Sequence, residues 1–189
     1  MTHQTPAPPR KPRRRYLRWA IDIAIVLAVI YAVGAWQTRD IPTGTLPDFH
    51  AATVDGNTSS LEQWRSQHPD SAVAVYFWAE WCGICGAMEG NIDRLAQNWP
   101  VLSVAMQSGA PEAVATQMED KGVDWHTLVD EHGQLASHLG VHGVPTVIIV
   151  DAKGNTRFTE MGYTTTAGLL ARIWWANNVS ARNGSGDQS

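Results

Sequence analysis

From Trp19 to Trp36 the chain reads WAIDIAIVLAVIYAVGAW, eighteen residues that are apolar but for Asp22. As a helix rising ~1.5 Å per residue this run is ~27 Å long, close to the hydrocarbon thickness of a bilayer. A transmembrane helix is therefore expected over residues 16–37. Past it the apolar runs become short and alternate in type. Ala72 to Trp78 is a continuous apolar run rich in β-branched and aromatic residues, which fits a buried strand. From Gly86 the period lengthens, with Met88, Ile92, Leu95 and Trp99 at spacings of three and four, the mark of a helix with one buried face.

The same reading covers the rest of the chain. Phe49 to Val54 is a candidate first strand, turned at Asp55-Gly56-Asn57, and Ser59 or Ser60 is placed to cap a short helix carrying Leu61 and Trp64 inward. Val101 to Met106 reads as a second buried strand. A helix follows from Pro111, with Val114, Met118 and Ala115 as its apolar face, ending near Lys121-Gly122. Trp125 to Val129 is a short strand and Glu131 to Leu139 a short helix. Thr146 to Val150 is a strand, Asp151 to Asn155 a turn, and Thr156 to Met161 its antiparallel return. A helix from Thr164 to Asn178 closes the domain by burying Leu169, Leu170, Ile173 and Trp174. Strands separated by helices of crossover length predict parallel pairing and right-handed connections. The organisation expected is a basic tail (1–15), the apolar helix (16–37), a linker (38–47), one domain (48–179) and a disordered tail (180–189).

Charge adds orientation. Six of the fourteen basic residues (Arg10, Lys11, Arg13, Arg14, Arg15, Arg18) precede position 19, and only one of the eighteen acidic ones, Asp22, precedes position 37. The positive flank predicts a cytoplasmic N-terminus and a domain on the far side of the membrane. A cleaved signal peptide, with Ala32-Val33-Gly34 as its small-residue site, is the competing reading, and its apolar core is short by comparison, ~7–15 residues. Either way the domain is exported. Residues 37–189 keep eight basic against seventeen acidic residues, a net of −9, which argues against a nucleic-acid partner because such binding depends on neutralising phosphates.

The chain has two cysteines, Cys82 and Cys85, lying between the apolar strand and the helix that follows. That order puts Cys82 at a helix N-terminus, where unpaired amide N–H groups favour a thiolate. Cys85 lies one turn on, near enough to close a disulfide. A loop this short constrains the unfolded chain little, so the pair reads as redox-active rather than structural. Zinc or Cu(I) held by the two sulfurs is the alternative from another class, but two thiolates make half a zinc site. His138 and His142, four apart, are separated by Gly140, which interrupts a helix that would align them.

The segment FWAEWCGIC (Phe77–Cys85) resembles the active-site segment of the thioredoxin superfamily, and Gly143-Val144-Pro145-Thr146 falls where that family has its cis-proline loop. With the apolar helix, the chain is similar to bacterial membrane-anchored thioredoxin-like proteins of the TlpA type, and among them to the suppressor-of-copper-sensitivity D group. The resemblance spans roughly residues 46–178. It implies an α/β thioredoxin fold, a mixed central sheet flanked by helices with an N-terminal extension. It also implies a protein-disulfide oxidoreductase with Cys82 as nucleophile and Cys85 as resolving cysteine. Trp81, Gly83, Ile84, Val144 and Pro145 would then contact substrate, and Pro145 would be cis. No cofactor beyond the redox-active cysteine pair and no metal is expected. The partners implied are protein thiols or disulfides and a membrane electron donor, in a periplasmic setting at the inner membrane. TlpA-type relatives mostly reduce disulfides in cytochrome c assembly, copper-site maturation or copper tolerance, while a disulfide oxidase or isomerase remains open. Two departures stand out. Ile84 replaces a common proline, and Tyr76 lies where thioredoxins carry a buried aspartate that takes the proton of the second cysteine. Glu89, one turn beyond Cys85, is a candidate for that role or an exposed helix residue, and Glu80 is expected as a solvated turn residue.

Overall fold

The computed structural model describes residues 13–184. The expectations for the start of the basic tail (1–12) and the end of the C-terminal tail (185–189) lie outside the described residues. The chain divides into two compact units, residues 1–36 and 37–189. In the first, helix α1 runs from Arg13 to Gln37. Its stretch from Tyr16 to Gln37, 22 residues of mean hydropathy 2.0, is long and apolar enough to cross a membrane.

The second unit is built on a seven-stranded mixed sheet in the order β2-β1-β5-β4-β3-β6-β7. Its strands are β1 (His50–Thr53), β2 (Thr58–Ser60), β3 (Val73–Trp78), β4 (Val101–Met106), β5 (His126–Asp130), β6 (Thr146–Val150) and β7 (Thr156–Met161). The helices are α2 (Leu61–Ser66), α3 (Gly83–Ala96), α4 (Pro111–Lys121), α5 (Gln134–His138) and α6 (Thr166–Gly184). β3, β4 and β5 are parallel, as the crossover lengths predict, while β6 and β7 and the β1–β2 hairpin run antiparallel to their neighbours.

β3 lies inside the sheet, between β4 and β6, and is buried on both faces, which explains why its sequence is a run rather than an alternation. Ala74, Tyr76 and Trp78 point into one core layer with Cys85, Met88, Ile92 and Leu95 of α3, Val114 and Met118 of α4, and Leu169 and Ile173 of α6. Val73, Val75 and Phe77 point into the other, with Leu61 of α2, Ala136 of α5 and the segment carrying Ile41, Leu46 and Phe49. The period of two along the strand thus serves two cores at once.

Four expectations are corrected or refined by the structure. β2 was not foreseen, because Thr58-Ser59-Ser60 carries no apolar signal; Ser60 ends it and caps α2 by accepting from the Gln63 N–H at 3.0 Å. Residues 38–47, expected as a short linker of turn-formers, lie against the domain, with Ile41 and Leu46 buried and Leu46 N–H donating to the Gly154 carbonyl at 2.9 Å. α6 continues past Asn178 to Gly184, into the segment expected as a disordered tail. Trp174 is exposed rather than buried; the inner face of α6 is Leu169, Ile173 and Ala176, at spacings of four and three.

Candidate active site

Strand β3 ends at Trp78, and the next four residues turn the chain into α3. Cys82 is the N-cap of that helix, extended at φ −94°, ψ 98°, and its sulfur accepts the Cys85 N–H at 3.2 Å. Cys82 and Cys85 form a disulfide, with Cα atoms 5.3 Å apart. In the reduced protein the Cys82 sulfur would stand in the same place as a thiol or thiolate, facing the N–H groups of the first helical turn. The two sulfurs differ in access: Cys82 is half-buried, whereas Cys85 is 1% exposed, on the inner face of α3 with Met88 and Ile92.

The loop before β6 meets this pair. The Val144–Pro145 peptide bond is cis, and the Val144 carbonyl oxygen lies 3.6 Å from the Cys82 sulfur. Pro145 is buried, and its carbonyl accepts from Gly162 N–H at 2.8 Å, while Thr146 Oγ1 donates to the Gly143 carbonyl at 2.7 Å. Asn91 of α3 donates to the Thr164 carbonyl at 3.0 Å and Thr166 Oγ1 meets Asn91 Oδ1 at 2.8 Å, so the start of α6 is tied to the same helix. The residues expected at the site come together: Trp81 and Ile84 are exposed at 61% and 54% beside the cysteines, Gly83 is exposed between them, and Val144 and Pro145 lie opposite.

Sequence reasoning missed the residues that hold this site from the loop after β4. Trp81 Nε1 donates to the Gln107 carbonyl at 3.2 Å, and Glu80 N–H donates to Ser108 Oγ at 3.0 Å. Gln107 has φ +50°, a left-handed conformation that L side chains rarely adopt, and nothing in the residue type announces it. Glu80 is not simply solvated: Lys121 Nζ lies 3.5 Å from Glu80 Oε2 and 2.7 Å from Glu89 Oε1, and 5.5 Å above the Trp78 ring. Burial works against the Lys121 charge, but the hydrogen bond and charge of Glu89, with those of Glu80, outweigh it and hold the ammonium above its ordinary value. Glu89 is accordingly a paired, three-quarters buried carboxylate, its side chain 24% exposed. Tyr76 is fully buried, and its hydroxyl has no hydrogen-bond partner.

Among the described residues no group of three or more His, Cys, Asp or Glu is placed to hold a metal ion. His138 ends α5, Gly140 follows with φ +71°, and His142 faces Asp40 at 3.4 Å, so the two histidines do not converge.

A redox pair at the start of a helix that follows an interior strand of this sheet, set against a cis-proline loop, defines a thioredoxin-fold thiol–disulfide oxidoreductase. The chain belongs to the AhpC/TSA family, whose profile matches residues 42–159. It is 26% identical over 164 residues to a thioredoxin-like protein of Haemophilus influenzae, spanning 86% of this chain and 96% of that one. It is 25% identical to the thiol:disulfide interchange protein DsbE of Escherichia coli, over 82% of this chain and 85% of that one. A solved Chlorobium tepidum structure, provisionally named a thiol:disulfide interchange protein DsbE, covers 72% of this chain and 99% of its own with a TM-score of 0.62; at 23% identity it shows the shared fold.

Proposed function

We propose that the protein is a membrane-tethered reductant of protein disulfides on the periplasmic side of the inner membrane, serving metalloprotein or cytochrome c maturation or copper tolerance. The Cys82–Cys85 disulfide would be its one redox centre, with no further cofactor or metal. The observation that carries the chemistry is the asymmetry of the pair: Cys82 caps α3 and is half-buried, while Cys85, on the inner face of that helix, is 1% exposed. Exchange needs one accessible, ionisable sulfur to attack and a second nearby to release the mixed disulfide. Cys82 is the nucleophile and Cys85 the resolving cysteine. Trp81, Gly83, Ile84, Val144 and Pro145 form the surface that receives substrate, and an extended polypeptide pairs with the backbone at Val144 as an added strand. The exposed apolar side chains of α1 and the basic cluster that precedes its apolar run support a single pass with the N-terminus in the cytoplasm. A reductant in an oxidising compartment needs a membrane electron donor to regenerate the dithiol.

The test is disulfide reduction by the full chain in detergent. Cys82→Ser should abolish turnover, and Cys85→Ser should accumulate a covalent mixed disulfide visible on non-reducing gels. Turnover by Cys82→Ser at the wild-type rate overturns the assignment. If the two sulfurs instead serve to hold Cu(I) or zinc, metal will copurify with the reduced protein in stoichiometric amount and both serine variants will lose it.

A further inference from the structure

Met88, Met106 and Met118 are buried in the two core layers, out of reach of a dissolved oxidant. Met161, the last residue of the edge strand β7, is only partly buried. Its sulfur stands against the loop that faces the cysteines: a Cβ added at Gly143 would lie 3.2 Å from Met161 Sδ and 3.8 Å from its methyl carbon. Gly143 is not among the glycines with positive φ. What calls for glycine there is space, and the thioether fills it. Two hydrogen bonds fix the same loop and flank this sulfur in the sequence. Thr146, the cross-strand partner of Met161, donates its Oγ1 to the Gly143 carbonyl at 2.7 Å. Gly162, next in the chain, donates its N–H to the Pro145 carbonyl at 2.8 Å. The three contacts together set where Val144 stands, with its carbonyl oxygen 3.6 Å from the Cys82 sulfur.

We propose that Met161 is an oxidation site through which hydrogen peroxide turns down disulfide exchange at Cys82. The effect on exchange rests on the assignment of the two cysteines given above; the modification does not. The thioether sulfur attacks one peroxide oxygen, so that an S–O bond forms and the O–O bond breaks. The other oxygen leaves as hydroxide and takes the remaining proton to become water. The methionine sulfur loses two electrons and the peroxide gains them. The product is a polar, chiral sulfoxide where a flexible apolar side chain stood. Its oxygen is an acceptor that competes with the Gly143 and Pro145 carbonyls for the two donors holding the loop, Thr146 Oγ1 and Gly162 N–H. It also needs room beside Gly143, where a single added carbon is already crowded. The loop yields, and Val144 loses its place beside Cys82. Met161 is thus a positioning residue, acting on the sulfur chemistry through the loop. The cysteine pair is spared while it is a disulfide, because it then offers no thiolate to the oxidant. Methionine sulfoxide is returned to methionine by dedicated reductases, so the change is reversible.

The experiment treats the full chain in detergent, in its disulfide form, with hydrogen peroxide, removes the excess with catalase and maps the product by peptide mass spectrometry. Met161 should gain one oxygen while Met88, Met106 and Met118 stay unmodified. Once the cysteines are reduced, kcat/KM for a peptide disulfide should be lower by roughly 10- to 100-fold, up to the scale of a ~1 Å misplacement at a reacting centre. Methionine sulfoxide reductases for the two epimers should restore it. Met161→Leu keeps an apolar side chain without the thioether, and should hold its own untreated rate after peroxide. Met161→Gln should show the loss without peroxide. Amide exchange at Gly162 should speed up in the sulfoxide form, a readout that needs no activity. Complete oxidation of Met161 with both rate and Gly162 exchange unchanged overturns the proposal. Oxidation of the buried methionines ahead of Met161, or an equal loss in Met161→Leu, does the same. If the untreated protein reduces no peptide disulfide, the reductase reading fails, and Gly162 exchange alone decides whether oxidation of Met161 releases the loop.

Discussion

His126 stacks on Trp64 with ring centroids 4.5 Å apart and planes 8° from parallel, and its Nε2 meets Ser59 Oγ at 3.1 Å. Burial disfavours its charged form and pushes its pKa below the ordinary 6.5, against a weaker opposing pull from Asp55. The unfolded chain therefore takes up this proton before the folded one does. The stability His126 contributes is fully present above pH 6.5 and is lost as the pH falls through its folded value. His126→Gln should flatten the decline in urea midpoint between neutral pH and about pH 5, because the remaining titrating groups are common to both proteins. An identical slope in wild type and variant would show that the stacked imidazole is not what the acid attacks.

At the scale of the element, the loop carrying Val144 is hung on a glycine at the end of α5. Gly140 has φ +71°, and a Cβ there would stand 2.3 Å from the Asp40 carbonyl oxygen and 2.5 Å from its carbon, both backbone atoms that cannot swing aside. Its N–H donates to the Ser137 carbonyl at 3.1 Å and Val141 N–H to that of Ala136 at 2.8 Å, a left-handed helix stop that aims the chain toward the cis-proline loop. Gly140→Ala should cost about 1–2 kcal/mol for the left-handed backbone, with more from displacing Asp40. It should appear as a drop in Tm of several degrees, ~2–4 °C per kcal/mol at this size. This glycine was visible in the sequence only as a helix breaker between two histidines; the backbone it meets is a hundred residues earlier. Elements closed by Pro, Gly or an abrupt polar turn (β4, α4, β6, β7) have the bounds their patterns predict. β2 and the far end of α6 do not, because Thr58-Ser59-Ser60 is ordered by pairing with β1 and residues 179–184 carry little apolar periodicity.

Across the whole molecule, the cysteine pair was legible from its spacing between a strand and a helix and the proline loop from its resemblance to a known family, whereas Lys121 and Gln107 reach the site only through the parallel crossovers that bring α4 and the end of β4 beside α3. Their effect on the sulfur chemistry is collective, and it bears on the direction of electron flow. A dithiol is oxidising to the extent that its thiolate is stabilised. Here the Cys82 sulfur faces the first turn of α3, which favours the thiolate, but the Val144 carbonyl oxygen lies 3.6 Å away with its negative end toward it. The nearby side-chain charges are two carboxylates, Glu80 and Glu89, against one ammonium, Lys121, and the first turn of α3 adds no cation. The balance disfavours the thiolate and so stabilises the disulfide. The reduction potential of the full chain, equilibrated in detergent against thiol buffers, should therefore lie at or below about −270 mV, the value of thioredoxin. Lys121→Met, which removes the one cation, should lower it further. A wild-type value near about −120 mV, some 7 kcal/mol away on a two-electron scale of ~30 mV per 1.4 kcal/mol, would make the protein a disulfide donor and defeat the reductant reading. The fold and the pairing of Cys82 with Cys85 would stand in either case.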